Sequence, residues 1–359
     1  MLYVNNMPTR TIDFTLPPDL EASEPPEVRG LQRDDVRLMV SYYGDDHMEH
    51  LAFHELDRVL QRGDVLIINT SGTLSAALDT IHPDGHMMRL HLSTRIDRTQ
   101  QQWVVELRQL RDKATAPFFE AAAGQVYRLP GGATAALLTP YSVPENGKSR
   151  LWLAQIDWNG ASYETYLAKH GSPIHYSYVD KPYGSEYYQT VFANEMGSAE
   201  MPSAGRAFTA ELVTRLVARG IQFAPILLHT GVASLEADER PYSEYYRVSP
   251  ETADLINAAR RTNRRVIAVG TTSARAIETV VDEDGFVRAG EGWTELVITP
   301  EHGVYVVDGI LTGFHEPRAS HLDILVAVAG YQHIAMTYRT ALQERYLWHE
   351  FGDLHLILP

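Results

Sequence analysis

The pattern of hydrophobic residues changes near residue 79 and changes back near residue 158, and this break constrains the fold most. Between Asp79 and Trp158 the chain forms short segments of alternating apolar and polar residues, such as 103–107 and 150–156, separated by turn-formers such as Pro130-Gly131-Gly132. Alternation with a period of two is typical of antiparallel strands with one buried face. We therefore predict an inserted domain at 79–158, built as a small antiparallel sheet or barrel, within a discontinuous domain of residues 1–78 plus 159–359.

After Ala161 apolar runs alternate with helical patterns. Thr209 can cap a helix that ends at Gly220, and Ser249-Pro250 can open another. The runs Ile221–Leu228 and Val266–Val269 have the length and composition of buried strands. Such alternation predicts a mainly parallel sheet wrapped by helices, either open or closed into a barrel.

Two further segments are predicted to be helical. Residues 51–61 have a helical pattern ahead of the buried run Val65–Ile68, and residues 320–345 predict one or two long helices broken or bent near Gly330.

Composition excludes several classes of protein. The chain has no cysteine, which removes thiol nucleophiles, disulfide frameworks and iron–sulfur clusters, so a metal would need histidine and carboxylate ligands. Its first residues do not have the pattern of a signal peptide, and no apolar run is long enough to span a membrane. We expect a cytoplasmic protein without a membrane partner. The net charge of −15 argues against a protein that coats nucleic acid, although a local basic patch can still hold RNA.

Three polar segments follow predicted strands, where ligands collect in parallel α/β folds. Gly270-Thr271-Thr272-Ser273-Ala274-Arg275 suits a carboxylate or phosphate at a helix start, or is an ordinary helix cap. His229-Thr230-Gly231 offers a general base, or a structural histidine. The segment 312–318, followed by His321 and Asp323, matches no standard zinc spacing and favours a polar active-site loop over a metal site.

Tyrosines are concentrated between residues 176 and 188, at positions 176, 178, 183, 187 and 188. Their rings can stack on a nucleobase or simply pack against one another. The pattern leaves both interpretations open.

Several short segments occur in one characteristic order along the chain. They are Asp13-Phe14, Leu16-Pro17, Arg37-Leu38, Gly63-Asp64 with Asn69, Tyr188-Gln189-Thr190-Val191-Phe192-Ala193, Pro202-Ser203-Ala204-Gly205, His229-Thr230-Gly231, Gly270 to Arg275, Phe314-His315-Glu316-Pro317 and Phe351-Gly352-Asp353. This set resembles the S-adenosylmethionine:tRNA ribosyltransferase-isomerases of queuosine biosynthesis over essentially the whole chain. The chain is identified as a divergent member of that family.

The resemblance implies a barrel-like parallel α/β domain that carries an inserted small antiparallel β-barrel domain. It also implies a reaction in which the ribosyl part of S-adenosylmethionine is transferred to 7-aminomethyl-7-deazaguanine in tRNA and isomerised, while adenine and methionine leave. S-adenosylmethionine is then a substrate and no metal is needed. The implied site residues are His229 and His315 for proton transfer; Gly231, Gly270, Thr271, Thr272, Ser273, Arg275 and Phe314 for S-adenosylmethionine; and Asn69, Tyr188, Gln189, Pro202, Ser203 and Gly205 for the acceptor.

The chain departs from the family pattern at several of these segments. Gly72 and Ala77 stand where the family has arginines, and Ala207 stands where it has a histidine. Loss of arginine removes bidentate contacts to anions, which leaves tRNA as an open expectation. Two alternatives therefore stand beside the family reaction: an enzyme that uses S-adenosylmethionine with a small-molecule acceptor or none, and a non-catalytic binding protein on the same scaffold.

Overall fold

The structure is a computed structural model, and it describes residues 12–97, 101–111, 114–141, 148–179, 181–232 and 242–359. These residues form eighteen strands and six α-helices. The strands are β1 (Arg37–Tyr42), β2 (His47–Ala52), β3 (Val65–Asn69), β4 (Ser71–Thr73), β5 (Ala77–Ile81), β6 (Met87–Asp97), β7 (Gln102–Arg111), β8 (Ala114–Pro117), β9 (Val126–Arg128), β10 (Thr134–Pro140), β11 (Leu151–Asp157), β12 (Glu195–Ser198), β13 (Gln222–Leu228), β14 (Glu244–Val248), β15 (Val266–Val269), β16 (Gly290–Thr294), β17 (Gly309–Gly313) and β18 (Leu354–Leu358). The helices are α1 (Tyr163–His170), α2 (Ala210–Ala218), α3 (Pro250–Arg261), α4 (Thr271–Thr279), α5 (Ser320–Ala329) and α6 (Tyr331–Gln343).

Six of the strands close into a small antiparallel barrel. Around the ring the order is β5, β6, β7, β11, β10 and β9, and β9 pairs back to β5; β8 extends the sheet from β7. Trp103, Leu107 and Tyr127 are fully buried in one apolar cluster with residues of the other barrel strands. The pairing of Ile81 with Arg128 closes the ring between β5 and β9. We keep residues 79–158 as the proposed inserted domain, although β5 already begins at Ala77.

A nine-stranded sheet forms the larger layer, in the order β16-β14-β13-β3-β15-β17-β18-β1-β2. β3 runs parallel to β13 and β15, β15 runs parallel to β17, and β18 runs parallel to β1. The other four pairs are antiparallel: β13 with β14, β14 with β16, β1 with β2, and β17 with β18 in the middle of the sheet. The turn between β1 and β2 is too short to join parallel neighbours, which explains the antiparallel pairing at that edge. The predicted α/β class with an inserted β-barrel is confirmed, and the sheet contains antiparallel as well as parallel pairs.

The central parallel strands bring distant segments of sequence to one edge of the sheet. Asn69, Leu228, Val269 and Gly313 end β3, β13, β15 and β17. After β15, Gly270 takes φ +90°, a backbone conformation that suits glycine, and α4 starts at the next residue. The polar segments that the sequence singled out therefore meet at the carboxyl ends of the strands.

Most of the predicted helices are present, and one is wrong. α2 and α3 begin after Thr209 and Ser249, whose side chains accept from backbone N–H groups as predicted. α5 and α6 meet at Gly330, which takes φ +81°. The helix predicted over 51–61 is instead the end of β2 followed by a short 3₁₀ helix, Phe53–Arg58. Phe53 and Leu56 are buried three residues apart, the repeat of a 3₁₀ helix.

Candidate active site

A cavity of about 280 Å³ lies at the carboxyl ends of the parallel strands. Residues from five of the segments that carry the family resemblance line it, and they include Tyr188, Pro202, Ser203, Thr230, Gly270, Thr271, Thr272, Phe314 and His315. A smaller cavity of about 120 Å³ shares Glu200, Thr230, Thr271, Thr272 and His321 with the first, so the two are neighbours. Clefts of this kind at strand ends are the usual ligand sites of α/β folds.

His315 is the predicted proton-transfer residue that lies in the larger cavity. Its Nε2 is 2.7 Å from the Thr312 hydroxyl, and its ring stacks on His321 with centroids 4.6 Å apart and planes 4° apart. Burial, together with the charges of His321 and His349, lowers the pKa of His315 well below its usual range. The imidazole is therefore neutral near pH 7, the form that can accept a proton.

His229, the other predicted proton-transfer residue, does not belong to the lining of either cavity. Its Nδ1 lies 2.8 Å from the Ser71 hydroxyl, and Ser71 lies 2.6 Å from the Ser198 hydroxyl. Ser198 also accepts from the Thr230 amide at 2.9 Å. Consecutive residues at a strand end point in opposite directions, so Thr230 faces the cavity and His229 faces away from it.

Replacing Gly197 by alanine tests the packing of His229. A methyl group at Gly197 would lie 2.3 Å from the His229 ring, so we expect the free energy of unfolding to fall by about 1–3 kcal/mol. Urea denaturation measures this change. Gly44→Ala is the matched control, because its methyl would meet the backbone of Pro359 at an ordinary 3.7 Å. Equal stability of the two variants would contradict the proposed close packing.

The segment 270–275 is divided by the structure between the cavity wall and the protein interior. Gly270, Thr271 and Thr272 line the larger cavity. The Ser273 hydroxyl instead donates to the Val269 carbonyl at 2.8 Å and is fully buried. The turn of the helix explains this difference, because successive side chains point about 100° apart.

Arg275 borders the smaller cavity, but its donors are engaged within the protein. It donates to Glu244 Oε2 at 2.5 Å and to the carbonyls of Tyr242, Thr294 and Leu296 at 2.8–3.0 Å. Glu244 accepts in turn from the Gly231 amide at 2.9 Å. Burial raises the pKa of Glu244, and Arg275 opposes that rise. Arg275 therefore stabilises the wall of the smaller cavity, which includes Gly231.

The predicted acceptor residues also separate into two groups. Tyr188, Pro202 and Ser203 line the larger cavity, whereas Asn69, Gln189 and Gly205 do not. The Gln189 side chain both accepts from the Thr73 amide at 3.0 Å and donates to its carbonyl at 2.7 Å.

The other two residues outside the cavity wall also hold the backbone. Asn69 joins the ends of β3 and β13 by accepting from the Leu228 amide and donating to its carbonyl. Gly205 packs against Thr190 and Phe192. These two residues and Gln189 therefore shape the site without lining it.

Two carboxylates of the cavity wall, Glu200 and Glu350, were missed as site candidates by the sequence. Glu200 and Glu350 line the cavity, and each accepts a hydrogen bond from a buried tyrosine, Tyr176 and Tyr178 respectively. A partial signal existed, because both tyrosines belong to the noted tyrosine-rich segment and Glu350 directly precedes Phe351-Gly352-Asp353. The remaining tyrosines pack: Tyr183 and Tyr188 contact Phe351, and Tyr183 contacts Tyr187.

Within the described ranges, no group of three or more histidine, cysteine or carboxylate side chains is arranged to hold a metal ion. The same part of the chain has no helix that is both long and apolar enough to cross a membrane.

Comparison with known proteins places the whole chain in a family. The model of the queuosine biosynthesis proteins matches residues 9–357. The chain belongs to the queuosine biosynthesis protein family. The resemblance seen in the sequence is thereby confirmed.

Relatives and a solved structure match this member of the queuosine family over nearly its full length. It is 37% identical to the S-adenosylmethionine:tRNA ribosyltransferase-isomerase of Symbiobacterium thermophilum, over 96% of this chain and 98% of that protein. It is 34% identical to the enzyme of the same name from Moorella thermoacetica, over 96% and 98%. The crystal structure of an S-adenosylmethionine tRNA ribosyltransferase from Thermotoga maritima aligns over 97% of this chain and 99% of that one, with a TM-score of 0.52 and 27% identity.

The three departures from the family pattern lie in crowded surroundings. A Cβ at Gly72 would lie 2.4 Å from the Met196 sulfur, so a larger residue at this position of β4 requires the flexible Met196 side chain to move. Ala77 and Ala207 are buried in two different apolar clusters. In this member of the queuosine family, the altered positions contribute to packing.

Proposed function

We propose that this chain is an S-adenosylmethionine:tRNA ribosyltransferase-isomerase. It transfers the ribosyl part of S-adenosylmethionine to the amine of 7-aminomethyl-7-deazaguanine in tRNA and isomerises the ribose, while adenine and methionine leave. The full-length match to relatives of that name carries the proposal. The comparisons do not support a small-molecule acceptor. Because tRNA is the proposed acceptor, we also propose that the chain acts in the cytoplasm.

His315 is the proposed base of the reaction. The positive sulfonium acidifies the protons on the adjacent carbon, and a neutral group in the cavity must remove one of them. His315 lies in the cavity wall, and burial keeps it neutral near pH 7. Thr312 and His321 fix the orientation of the ring. We assign His229 a positioning role, because its contacts join β4, β12 and the segment after β13.

Binding of S-adenosylmethionine is proposed at the start of α4. Gly270, Thr271 and Thr272 line the cavity and lie at the start of this helix. The backbone N–H groups of a helix start favour a carboxylate such as that of the methionine part. Phe314 contributes apolar surface from the end of β17. Ser273, Arg275 and Gly231 support this wall through the hydrogen bonds described above.

The acceptor base is proposed to enter beside Tyr188, Pro202 and Ser203. These residues line the cavity and come from segments of the sequence other than α4. Tyr188 supplies an aromatic side chain that suits contact with a nucleobase. Asn69, Gln189 and Gly205 hold the neighbouring backbone.

Mass spectrometry of S-adenosylmethionine incubated with the purified protein tests the proposed function. We expect adenine and methionine to appear only when the tRNA carries 7-aminomethyl-7-deazaguanine, because the amine is the nucleophile. The same tRNA with guanine at that position is the control. Adenine release without RNA would contradict the tRNA reaction. Absence of adenine and methionine with the aminated tRNA would contradict the enzyme assignment.

A further inference from the structure

His349 is a buried histidine of the larger cavity that the proposed mechanism does not use. It lies between α6 and β18 and lines the cavity beside Glu350. Its side chain is only 5% exposed, yet its Nε2 forms no hydrogen bond with any described residue. Glu21 Oε1 lies 3.5 Å from Nε2 without forming one, and Glu316 Oε1 lies 3.9 Å from Nδ1. Buried polar groups are almost always satisfied, so a partner for Nε2 is expected from a bound ligand.

The backbone at His349 has a conformation that favours a functional role. The residue takes φ +72°, which residues other than glycine rarely adopt. Among the described non-glycine residues with positive φ, it is the one that lines the larger cavity. Its N–H donates to the Phe314 carbonyl at 3.4 Å, and its carbonyl accepts from the Gly352 amide at 3.0 Å. Backbone strain of this kind concentrates at functional sites.

An aromatic stack fixes the plane of the His349 ring. The imidazole lies on the Tyr178 ring, with centroids 3.8 Å apart and planes 8° apart. Tyr178 in turn donates to Glu350 Oε2 at 2.5 Å and stacks on Tyr176. The N–H group and the lone pair of an imidazole lie in the ring plane, so the stack sets the direction in which Nε2 contacts a ligand.

The imidazole of His349 is neutral near pH 7, because burial lowers its pKa to about 4. A neutral imidazole carries one N–H donor and one acceptor nitrogen. The Glu21 carboxylate beside Nε2 favours the form that has its proton on that nitrogen. His349 also acts electrostatically on His315, so it lies near the proposed base. The cavity therefore holds a neutral N–H donor close to the reacting part of the substrate.

We propose that Nε2 of His349 donates a hydrogen bond to a ring nitrogen of the adenine of S-adenosylmethionine, and that this bond strengthens as adenine leaves. The identification of this ligand rests on the proposed function. Adenine has three ring nitrogens that accept hydrogen bonds, whereas a 7-deazaguanine lacks N7 and presents N–H donors at N1 and N2. When the bond between ribose and adenine breaks, its electron pair passes into the purine ring. A fixed donor stabilises the charge that develops there.

The step balances with the reactants of the proposed function. The bond from the ribose to N9 of adenine breaks, and a bond from the ribose to the acceptor nitrogen forms. The neutral amine loses one proton in forming that bond, and adenine takes up one proton on leaving. His349 keeps its own proton throughout. Because the imidazole is neutral, it does not repel the positive sulfonium of the substrate.

Analogues of S-adenosylmethionine in which a C–H group replaces N1, N3 or N7 of adenine test this contact. The measured quantity is kcat/KM for tRNA-dependent release of the base, in wild type and in His349→Phe. Phenylalanine keeps an aromatic ring on Tyr178 and removes the N–H donor. With wild type, we expect one of the three analogues to react more slowly than S-adenosylmethionine by about tenfold or more. His349→Phe should lower kcat/KM for S-adenosylmethionine by about tenfold or more, and the further loss caused by that analogue should largely disappear.

The matched control is His47→Phe, because His47 also stacks on a tyrosine, Tyr42, but lies outside the cavity lining. Its kcat/KM should equal that of wild type. Asparagine tolerates a positive φ and offers an N–H donor, so His349→Asn should recover part of the rate. Urea denaturation establishes that each variant is folded.

The outcomes separate this inference from the proposed function. Wild type that reacts with all three analogues as fast as with S-adenosylmethionine overturns the inference without any variant. Folded His349→Phe with the kcat/KM of wild type also overturns it. A variant that loses affinity for the aminated tRNA but keeps its affinity for S-adenosylmethionine overturns it as well, because His349 would then contact the acceptor. If wild type releases no adenine with the aminated tRNA, the proposed function fails, and the inference fails with it.

Discussion

Replacing His315 by alanine should lower tRNA-dependent adenine release by about 100-fold or more, with little change in affinity for S-adenosylmethionine. General base catalysis typically contributes a factor of this size. His315 is the predicted proton-transfer residue in the cavity, and burial lowers its pKa so that the neutral ring persists near pH 7. Steady-state kinetics with the aminated tRNA measures the loss. A base of lowered pKa remains active as the pH falls to 6.5, and it loses activity only below that.

The control for this variant is His302→Ala, because His302 is an exposed histidine outside the cavity lining, with contacts to Thr299, Gly303 and Tyr305. Circular dichroism and urea denaturation establish that His315→Ala remains folded. His315→Gln provides a second variant that retains a polar side chain beside Thr312. Near-normal turnover in both folded variants would exclude His315 as the base and return attention to the other groups in the cavity wall.

Replacing Arg275 by methionine should lower the free energy of unfolding by about 3–5 kcal/mol. The substitution leaves Glu244 buried and without its cation, and it removes the donors to three backbone carbonyls. Breaking one side of a buried ion pair is more damaging than losing the pair, because the remaining charge has no water around it. Urea denaturation monitored by fluorescence measures the difference.

Arg288→Met is the matched control, since the Arg288 ion pair with Asp282 is exposed and should leave the free energy of unfolding nearly unchanged. The double substitution Arg275→Met with Glu244→Gln should recover part of the lost stability by removing the unpaired charge. If Arg275→Met is as stable as wild type but loses affinity for S-adenosylmethionine, Arg275 contacts the substrate and does not have a structural role.

Local patterns predicted the secondary structure around the site because they depend on neighbouring residues. The caps Thr209 and Ser249 fixed the starts of α2 and α3, and Gly330 fixed the break between α5 and α6. The alternating pattern between 79 and 158 likewise indicated the small antiparallel layer. The helix predicted over 51–61 was wrong because its apolar spacing suits a 3₁₀ turn after an edge strand as well as an α-helix.

The motifs did not specify which side chains point into the cavity. His229 and Thr230 are adjacent, yet only Thr230 faces the cavity. Thr272 and Ser273 are adjacent, yet Ser273 turns into the helix and bonds Val269. A motif names the segment that reaches a site, whereas the rotation of the strand or helix at that residue selects which side chain enters it.

By itself, the sequence determined the family, the α/β class with its inserted barrel, and the strand ends at which the polar segments meet. These properties follow from the order of the motifs and from hydrophobic periodicity, both of which are properties of the linear sequence. Only the tertiary structure decided that His315 lies in the cavity while His229 faces away, and that Arg275 forms an ion pair with Glu244. It alone brought Glu200 and Glu350 into one cavity wall, where each accepts a hydrogen bond from a tyrosine. Residues 150 positions apart meet in one wall only when the sheet brings their loops together, because such contacts depend on distance in space.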